Sequence, residues 1–220
     1  MRSLTSWSGG KDSCYALMQA IDAGIKPAVL LNVMNETGRR SRSHGLPATI
    51  LEAQATQAGI PLRTVSSSWS DYENNFVRSL QELKQEYQLT HAVFGDIDLQ
   101  AHRDWEEKVC DRAGLIPVLP LWLRPRKQLA LEMLQAGIQT LIVSCNEVMG
   151  QRFLGRYLTS ELLDELESLG VDSCGENGEF HTLVTDCPLF KKSLETEITD
   201  TETHEGYWFA AIRLKVKDKG

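Results

Sequence analysis

The chain has 220 residues, 42% of them hydrophobic, so it can bury a real core as one large domain or two small ones. Its formal net charge of −7 argues against extended contact with nucleic acid, whose phosphates demand clustered Lys and Arg. No run of about 18 apolar residues is present and a structured motif begins by residue 8, so neither a membrane span nor a signal peptide is expected and the expected location is the cytoplasm.

In chain order, a weak strand leads into Ser6 to Gly10, and the helix after it carries Cys14, Leu17, Met18 and Ile21 on one face. Ala23-Gly24-Ile25 reads as its stop, because a glycine just past a helix end takes the left-handed conformation cheaply and the next aliphatic residue packs back on the last turn. The phrase recurs at Ala58-Gly59-Ile60, Ala113-Gly114-Leu115 and Ala136-Gly137-Ile138, and more loosely at Leu169-Gly170-Val171. Apolar runs of strand length follow these stops at Ala28 to Val33, Leu62 to Val65 and Thr140 to Ser144. A helix from about Asp71 to Gln88 places Phe76, Leu80, Leu83 and Tyr87 on one face, and Ala92-Val93-Phe94 reads as another buried strand. The pattern βαβαβαβ predicts an α/β fold: a parallel twisted sheet with helices on both faces, its ligands bound outside the carboxyl ends of the strands. Those ends fall at Ser6 to Gly10, Met34 to Ser43, Ser66 to Ser70 and Gly95 to Asp98.

Prolines 117, 120 and 125 break the periodicity, so the expected domains are 1–118 and 119–220. The second holds a helix from Arg126, a strand near Leu141, a helix from Ser160 to Leu169, a glycine-rich loop, and a terminal strand with Trp208, Ala210, Ile212, Leu214 and Val216 in alternation. It reads as a smaller α+β domain. Five cysteines, odd in number and widely spaced with no CxxC, fit neither a disulfide framework nor a zinc ribbon and are expected as mostly reduced, buried thiols. Trp69 and Trp122 are expected to pack. Arg39, Arg40 and Arg42 beside His44 are either a solvated loop or a grip on a phosphate or carboxylate at the ligand edge.

Ser8-Gly9-Gly10-Lys11-Asp12-Ser13 opens a periodic helix, where unpaired N–H groups and the helix dipole favour a phosphate. It lacks the spacing of a Walker loop. A plain glycine turn with Asp12 or Ser13 capping the helix is the competing reading. The hexapeptide resembles the pyrophosphate loop of the N-type ATP pyrophosphatases, which cleave ATP between the α- and β-phosphates. That resemblance implies that the anion arrives with magnesium, and an acid such as Asp12 then helps to hold the ion.

Residues 174–190, CGENGEFHTLVTDCPLF, concentrate Glu176, Asn177, Glu179 and His181 between glycines, either as a converging polar site or as a surface turn. Taken with the first motif, GENGEFHT resembles the diphthine–ammonia ligase family over nearly the whole chain. The resemblance also covers His44 before Leu51-Glu52-Ala53-Gln54-Ala55, Gly95-Asp96-Ile97, Pro120-Leu121-Trp122 and Asp186-Cys187-Pro188-Leu189-Phe190. It implies an adenine nucleotide alpha hydrolase-like (HUP) fold and a ligase that adenylates a carboxylate and forms an amide with ammonia or an amine, releasing AMP and pyrophosphate. ATP and Mg2+ are the implied cofactors, and a small carboxylate-containing molecule is the implied acceptor. Lys11, Asp12, Glu176, Glu179 and His181 are implied as catalytic, with Asp12 toward the metal. Ser6, Ser8, Gly9, Gly10, Lys11, Asp12, Ser13, Gly95 and Asp96 are implied on the nucleotide. His44, Asp98, Arg103, Gly175, Asn177, Gly178 and Thr182 are implied on the substrate.

Two departures mark a bacterial-type branch. The diphthamide-forming pattern has glutamate where this chain has His181, and its Ser-x-Tyr-Gln-x-x-Arg is replaced by Asp98-Leu99-Gln100-Ala101-His102-Arg103-Asp104. A tRNA-modifying enzyme with a similar loop ranks lower, for want of paired cysteines, a basic face or an appended RNA module. An ATP-binding regulator without turnover is the non-enzymatic alternative. The acceptor, the nitrogen donor and the oligomeric state stay open.

Overall fold

The structure is a computed structural model that describes residues 1–215. Among these residues the elements run β1 (Arg2–Ser6), α1 (Lys11–Asp22), β2 (Lys26–Met34), α2 (Ala48–Ala58), β3 (Leu62–Ser66), α3 (Tyr72–Tyr87), β4 (His91–Val93), α4 (Gln100–Ala113), β5 (Ile116–Val118), α5 (Arg126–Gln135), β6 (Gln139–Asn146), a 3-10 turn (Gln151–Phe153), α6 (Ser160–Ser168), β7 (Phe180–Asp186), β8 (Thr196–His204) and β9 (Tyr207–Leu214). They form two compact units. The first comprises Met1–Ser8, Asp12–Ser43 and Gly59–Arg124; the second comprises Gly9–Lys11, His44–Ala58 and the chain from Pro125 onward.

In the first unit the described strands form one sheet in the order β3-β2-β1-β4-β5, every neighbouring pair parallel. β2 is buried along almost its whole length, the mark of a strand covered on both faces. The core gathers Leu4, Val29 and Leu31 from the sheet with Phe76, Leu80 and Leu83 of α3 and Val109 and Cys110 of α4. Chain order reverses between β1 and β4, so the segments after these two strands diverge at the switch point, where open α/β sheets bind ligands. The parallel sheet and its flanking helices match the expected α/β class.

All five predicted helix stops have a glycine in the left-handed region: Gly24, Gly59, Gly114, Gly137 and Gly170, with φ from 66° to 83°. At Gly114, which caps α4, the N–H bonds back to the carbonyls of Asp111 and Cys110. The sequence reading missed β5. Its three residues contain Pro117, which cannot donate to a ladder, and the strand is tolerated because it lies at the edge of the sheet.

In the second unit the described strands form an antiparallel sheet in the order β7-β6-β9-β8. β9 carries the predicted alternation, with Ala210 and Ile212 buried; Val216 of that prediction lies outside the described residues. β8 shows why it was not predicted: TEITDTETH is polar apart from Ile198, sits at the sheet edge and is exposed along most of its length. β7 shortens the glycine-rich loop expected before the terminal strand. The turn ends at Glu179, and His181 and Thr182 are strand residues, paired with Ser144 and Ile142 of β6. All five cysteines are buried, as expected, and none forms a disulfide. No helix among the described residues is long and apolar enough to cross a membrane.

Candidate functional site

In the second unit, residues 9–11 are held by the second motif. Gly9 adopts φ +86°, and its carbonyl accepts from Val184 N at 2.9 Å and from Gln54 Nε2 at 2.9 Å. Lys11 N donates to Thr182 Oγ1 at 3.1 Å, and the Lys11 ammonium donates to the Cys174 carbonyl at 2.5 Å while lying over the Phe180 ring. Lys11 is only 3% exposed, so its charge is turned inward. A Cβ on Gly10 would stand 2.4 Å from His44 Cε1 and 3.1 Å from the Thr182 carbonyl, which makes this a backbone-only approach.

His44 Nδ1 lies 2.9 Å from the Thr182 carbonyl, and because a carbonyl can only accept, that nitrogen carries the proton. Its ring stacks on His181 with centroids 4.6 Å apart. Burial pushes the His44 pKa down to about 4; the bond to Thr182 opposes this and the Lys11 charge adds to it. The imidazole is therefore neutral at physiological pH.

The turn before β7 uses its own acids. Glu179, 8% exposed, accepts from Asp172 N, Asn177 N and Asn177 Nδ2 at 3.0 to 3.1 Å. Asp172 in turn accepts from Glu176 N and from Arg126, which also reaches Asn177. Gly175 and Gly178 both take positive φ here. The second unit thus brings Gly10, Lys11, His44, His181 and Thr182 together, while Glu179 organises its turn and Glu176, Asn177 and Gly178 lie along it.

In the first unit, Ser6 ends β1 and Asp12 lies in the first turn of α1. Ser8 Oγ and Ser13 Oγ are 3.0 Å apart, and Ser8 N donates to Ser13 Oγ. Gly95 abuts this turn: a Cβ there would meet Ser13 N at 2.7 Å and Asp12 C at 2.8 Å. Asp96 Oδ1 lies 2.6 Å from His102 Nδ1. Asp98 is half-buried, and Arg103 is engaged with Glu107 at 2.7 Å and lies over the Trp122 ring. Trp69 corrects an expectation, being 72% exposed, with the Arg42 guanidinium 4.6 Å from its ring centre. Arg42 itself is folded in: its side chain is 9% exposed and donates to the Ser67 carbonyl.

Gln54, His102 and Glu106 were not singled out as site residues. The signal for two of them was a polar residue on an apolar helical stripe, Gln54 beside Leu51 and Ala55, and Glu106 with Val109, Cys110 and Ala113. Gln54 is wholly buried, and its amide nitrogen donates both to the Gly9 carbonyl and to the Val184 carbonyl, at 2.9 and 2.8 Å. Gln54→Leu is expected to lose about 2 kcal/mol of stability through the donors removed from buried carbonyls. Gln54→Glu is expected to lose more, since a carboxylate would face two carbonyl oxygens. Urea unfolding at neutral pH checks the order; equal stability in all three proteins would show that the amide does not hold Gly9.

Two family models match the chain: the diphthamide synthase N-terminal domain over residues 1–117 and the diphthamide synthase C-terminal domain over residues 125–217. Diphthine–ammonia ligase of Danio rerio is 33% identical, the match spanning 96% of this chain and 92% of the relative. The Bos taurus and Homo sapiens proteins of the same name are 31% and 30% identical, each match spanning 96% of this chain and 89% of the relative. Among solved structures, one described as a predicted subunit of tRNA methyltransferase from Methanocaldococcus jannaschii superposes with a TM-score of 0.50 at 17% identity, covering 88% of this chain and all of that one; it shares the fold.

Proposed function

The chain belongs to the diphthamide synthase family, and we propose that it is an ATP-dependent ligase that joins ammonia or an amine to a carboxylate as an amide. On this reading a carboxylate oxygen of the acceptor attacks the α-phosphorus of ATP and pyrophosphate leaves; the nitrogen then attacks the acyl carbon and AMP leaves. The observation that supports it most is the set of hydrogen bonds tying Gly9 and Lys11 to Val184, Thr182 and Cys174, which puts the phosphate-loop segment and the second motif in one local structure. The relatives' name, diphthine–ammonia ligase, supports ammonia as the nitrogen donor.

Residues 1–118 would supply the nucleotide site and residues 119–220 most of the acceptor site. The first turn of α1 would present N–H groups and the positive end of the helix dipole to the phosphates. Gly95 leaves the backbone of Asp12 and Ser13 in this turn unobstructed. Neutral His44, with His181 stacked on it and Thr182 beside it, would bind the acceptor without adding positive charge.

Among the described residues no group of three or more His, Cys, Asp and Glu side chains is placed to hold a metal ion. One acid at the loop, Asp12, fits an ion that arrives on nucleotide phosphates and takes a single protein carboxylate, which is how magnesium commonly binds. When bound it would neutralise charge on the departing pyrophosphate.

Turnover is expected to convert ATP to AMP and pyrophosphate, with pyrophosphate release stimulated by a carboxylate acceptor and ammonium. Chromatography of the nucleotide products across a panel of carboxylate metabolites checks this. ADP and phosphate as the sole products would overturn the reading.

A further inference from the structure

Asp96 follows Gly95 at the carboxyl edge of the first unit's sheet and takes a short contact from His102 on α4. One turn further along that helix lies Glu106, whose carboxyl interacts with the same aspartate, each shifting the titration of the other. Glu106 is 3% exposed, on the face of α4 that holds Val109, Cys110 and Ala113, and its Oε2 has no hydrogen-bond partner. Two ionised carboxylates cannot share such a contact: one must hold a proton. The more deeply buried acid keeps it, because Asp96 already receives His102 and Glu106 has no cation to offset its loss of water.

We propose that Glu106 is a neutral carboxylic acid whose O–H donates to Asp96, so that Glu106 and His102 together position Asp96 as an ionised acceptor beside the loop. The functional part of this rests on the reading of Asp96 as a nucleotide-contacting residue; the proton assignment does not. The titration directions agree. Burial first, then the bond to Asp96 and the charges of Asp96 and Glu107, pushes Glu106 up to about 11. Burial alone would raise Asp96, but the bonds from His102 and Glu106 outweigh it and hold Asp96 below its ordinary value. The other groups facing the pair are Tyr72, raised by burial and sensing Arg42, Asp96 and Glu106, and Cys110, pushed up to about 12 by burial with the Glu106 charge adding to it.

A neutral Glu106 makes stability depend on pH with a definite sign. Below its ordinary value of 4.5 the acid is protonated in both folded and unfolded chains; above it the unfolded chain releases a proton that the folded state keeps, so stability falls as pH rises toward 11. Glutamine donates in the same place and carries no such linkage. Glu106→Gln should therefore match the wild type near pH 5 and resist urea better than it near pH 8. Its ATP affinity and acceptor-dependent turnover should stay within about threefold, whereas Glu106→Leu should raise the KM for ATP about tenfold or more with a smaller change in kcat, as expected for a lost hydrogen bond to a charged group.

The proton itself can be read in the intact protein from the side-chain carboxyl carbon of Glu106 by NMR, assigned with Glu106→Gln. An unchanged resonance between about pH 5 and pH 8 is expected, and ionisation in that range or below overturns the proposal. So does a Glu106→Gln protein that folds yet loses ATP affinity as far as Glu106→Leu, or a folded Glu106→Leu protein with an unaltered KM. Should Glu106→Leu fail to fold, the resonance and the glutamine variant still decide. If the wild type binds no ATP, the nucleotide reading of Asp96 fails, while the carboxyl resonance and the urea comparison continue to test the proton.

Discussion

Gly95→Ala is expected to lower ATP turnover by roughly 100-fold or more. An alanine Cβ would stand 2.7 Å from Ser13 N, 2.8 Å from Asp12 C and 3.0 Å from Ser13 Cα, and all three are backbone atoms that cannot rotate away. Gly95 is not among the residues with positive φ, so alanine suits its backbone and the whole effect comes from displacing the loop. Forced overpacking of this kind typically destabilises by about 1 to 3 kcal/mol, and a shift of about 1 Å in a substrate-positioning element can lower turnover by roughly 100-fold or more. Gly24→Ala is the matched control: it has open space around it but φ +81°, so it should lose about 1 kcal/mol through backbone strain with turnover unchanged. Steady-state kinetics and thermal melts of the pair separate the two causes. If Gly95→Ala retained full activity, the loop would not need its present position.

Asp12→Asn is expected to lower magnesium-dependent turnover on the order of 100-fold, the scale set by losing one well-placed electrostatic contact in a phosphoryl site. The side chain keeps its size and one acceptor oxygen and loses its charge. Stability should change far less, by about 0.3 to 1 kcal/mol, because the acid also favours the positive end of α1. ATP turnover followed across a magnesium titration, beside urea unfolding, tests the separation. A parallel fall in stability and activity would make Asp12 a helix residue, and unchanged activity would remove it from the metal.

Elements governed by local chemistry could be read directly from the sequence. The five glycine stops, the amphipathic stripe of α3 and the loop opening α1 each follow from the conformational freedom or the hydrophobic period of a few neighbouring residues. β8 was invisible because an exposed edge strand needs no apolar period, and β7 was masked by the polar turn before it and by His181 and Thr182 within it. Trp69 defeated expectation for a related reason: hydrophobicity says what a side chain prefers, and the fold places this one on the surface beside Arg42. The site was legible as two separate motifs. Gln54 holding Gly9, and Glu106 against Asp96, depend on pairings across 45 and 10 positions, and no spacing rule for one segment reveals them.

The burial of every cysteine has a practical consequence for watching this protein move. A thiol reagent can reach a sulfur only when the structure around it opens, so modification rates under native conditions report transient exposure. Cys14 and Cys110 belong to the first unit, and Cys145, Cys174 and Cys187 to the second. Peptide mass spectrometry after timed alkylation would therefore record the breathing of each unit on its own clock, without introducing a label. Cys174, whose carbonyl receives the Lys11 ammonium, would serve as the timer for the second motif.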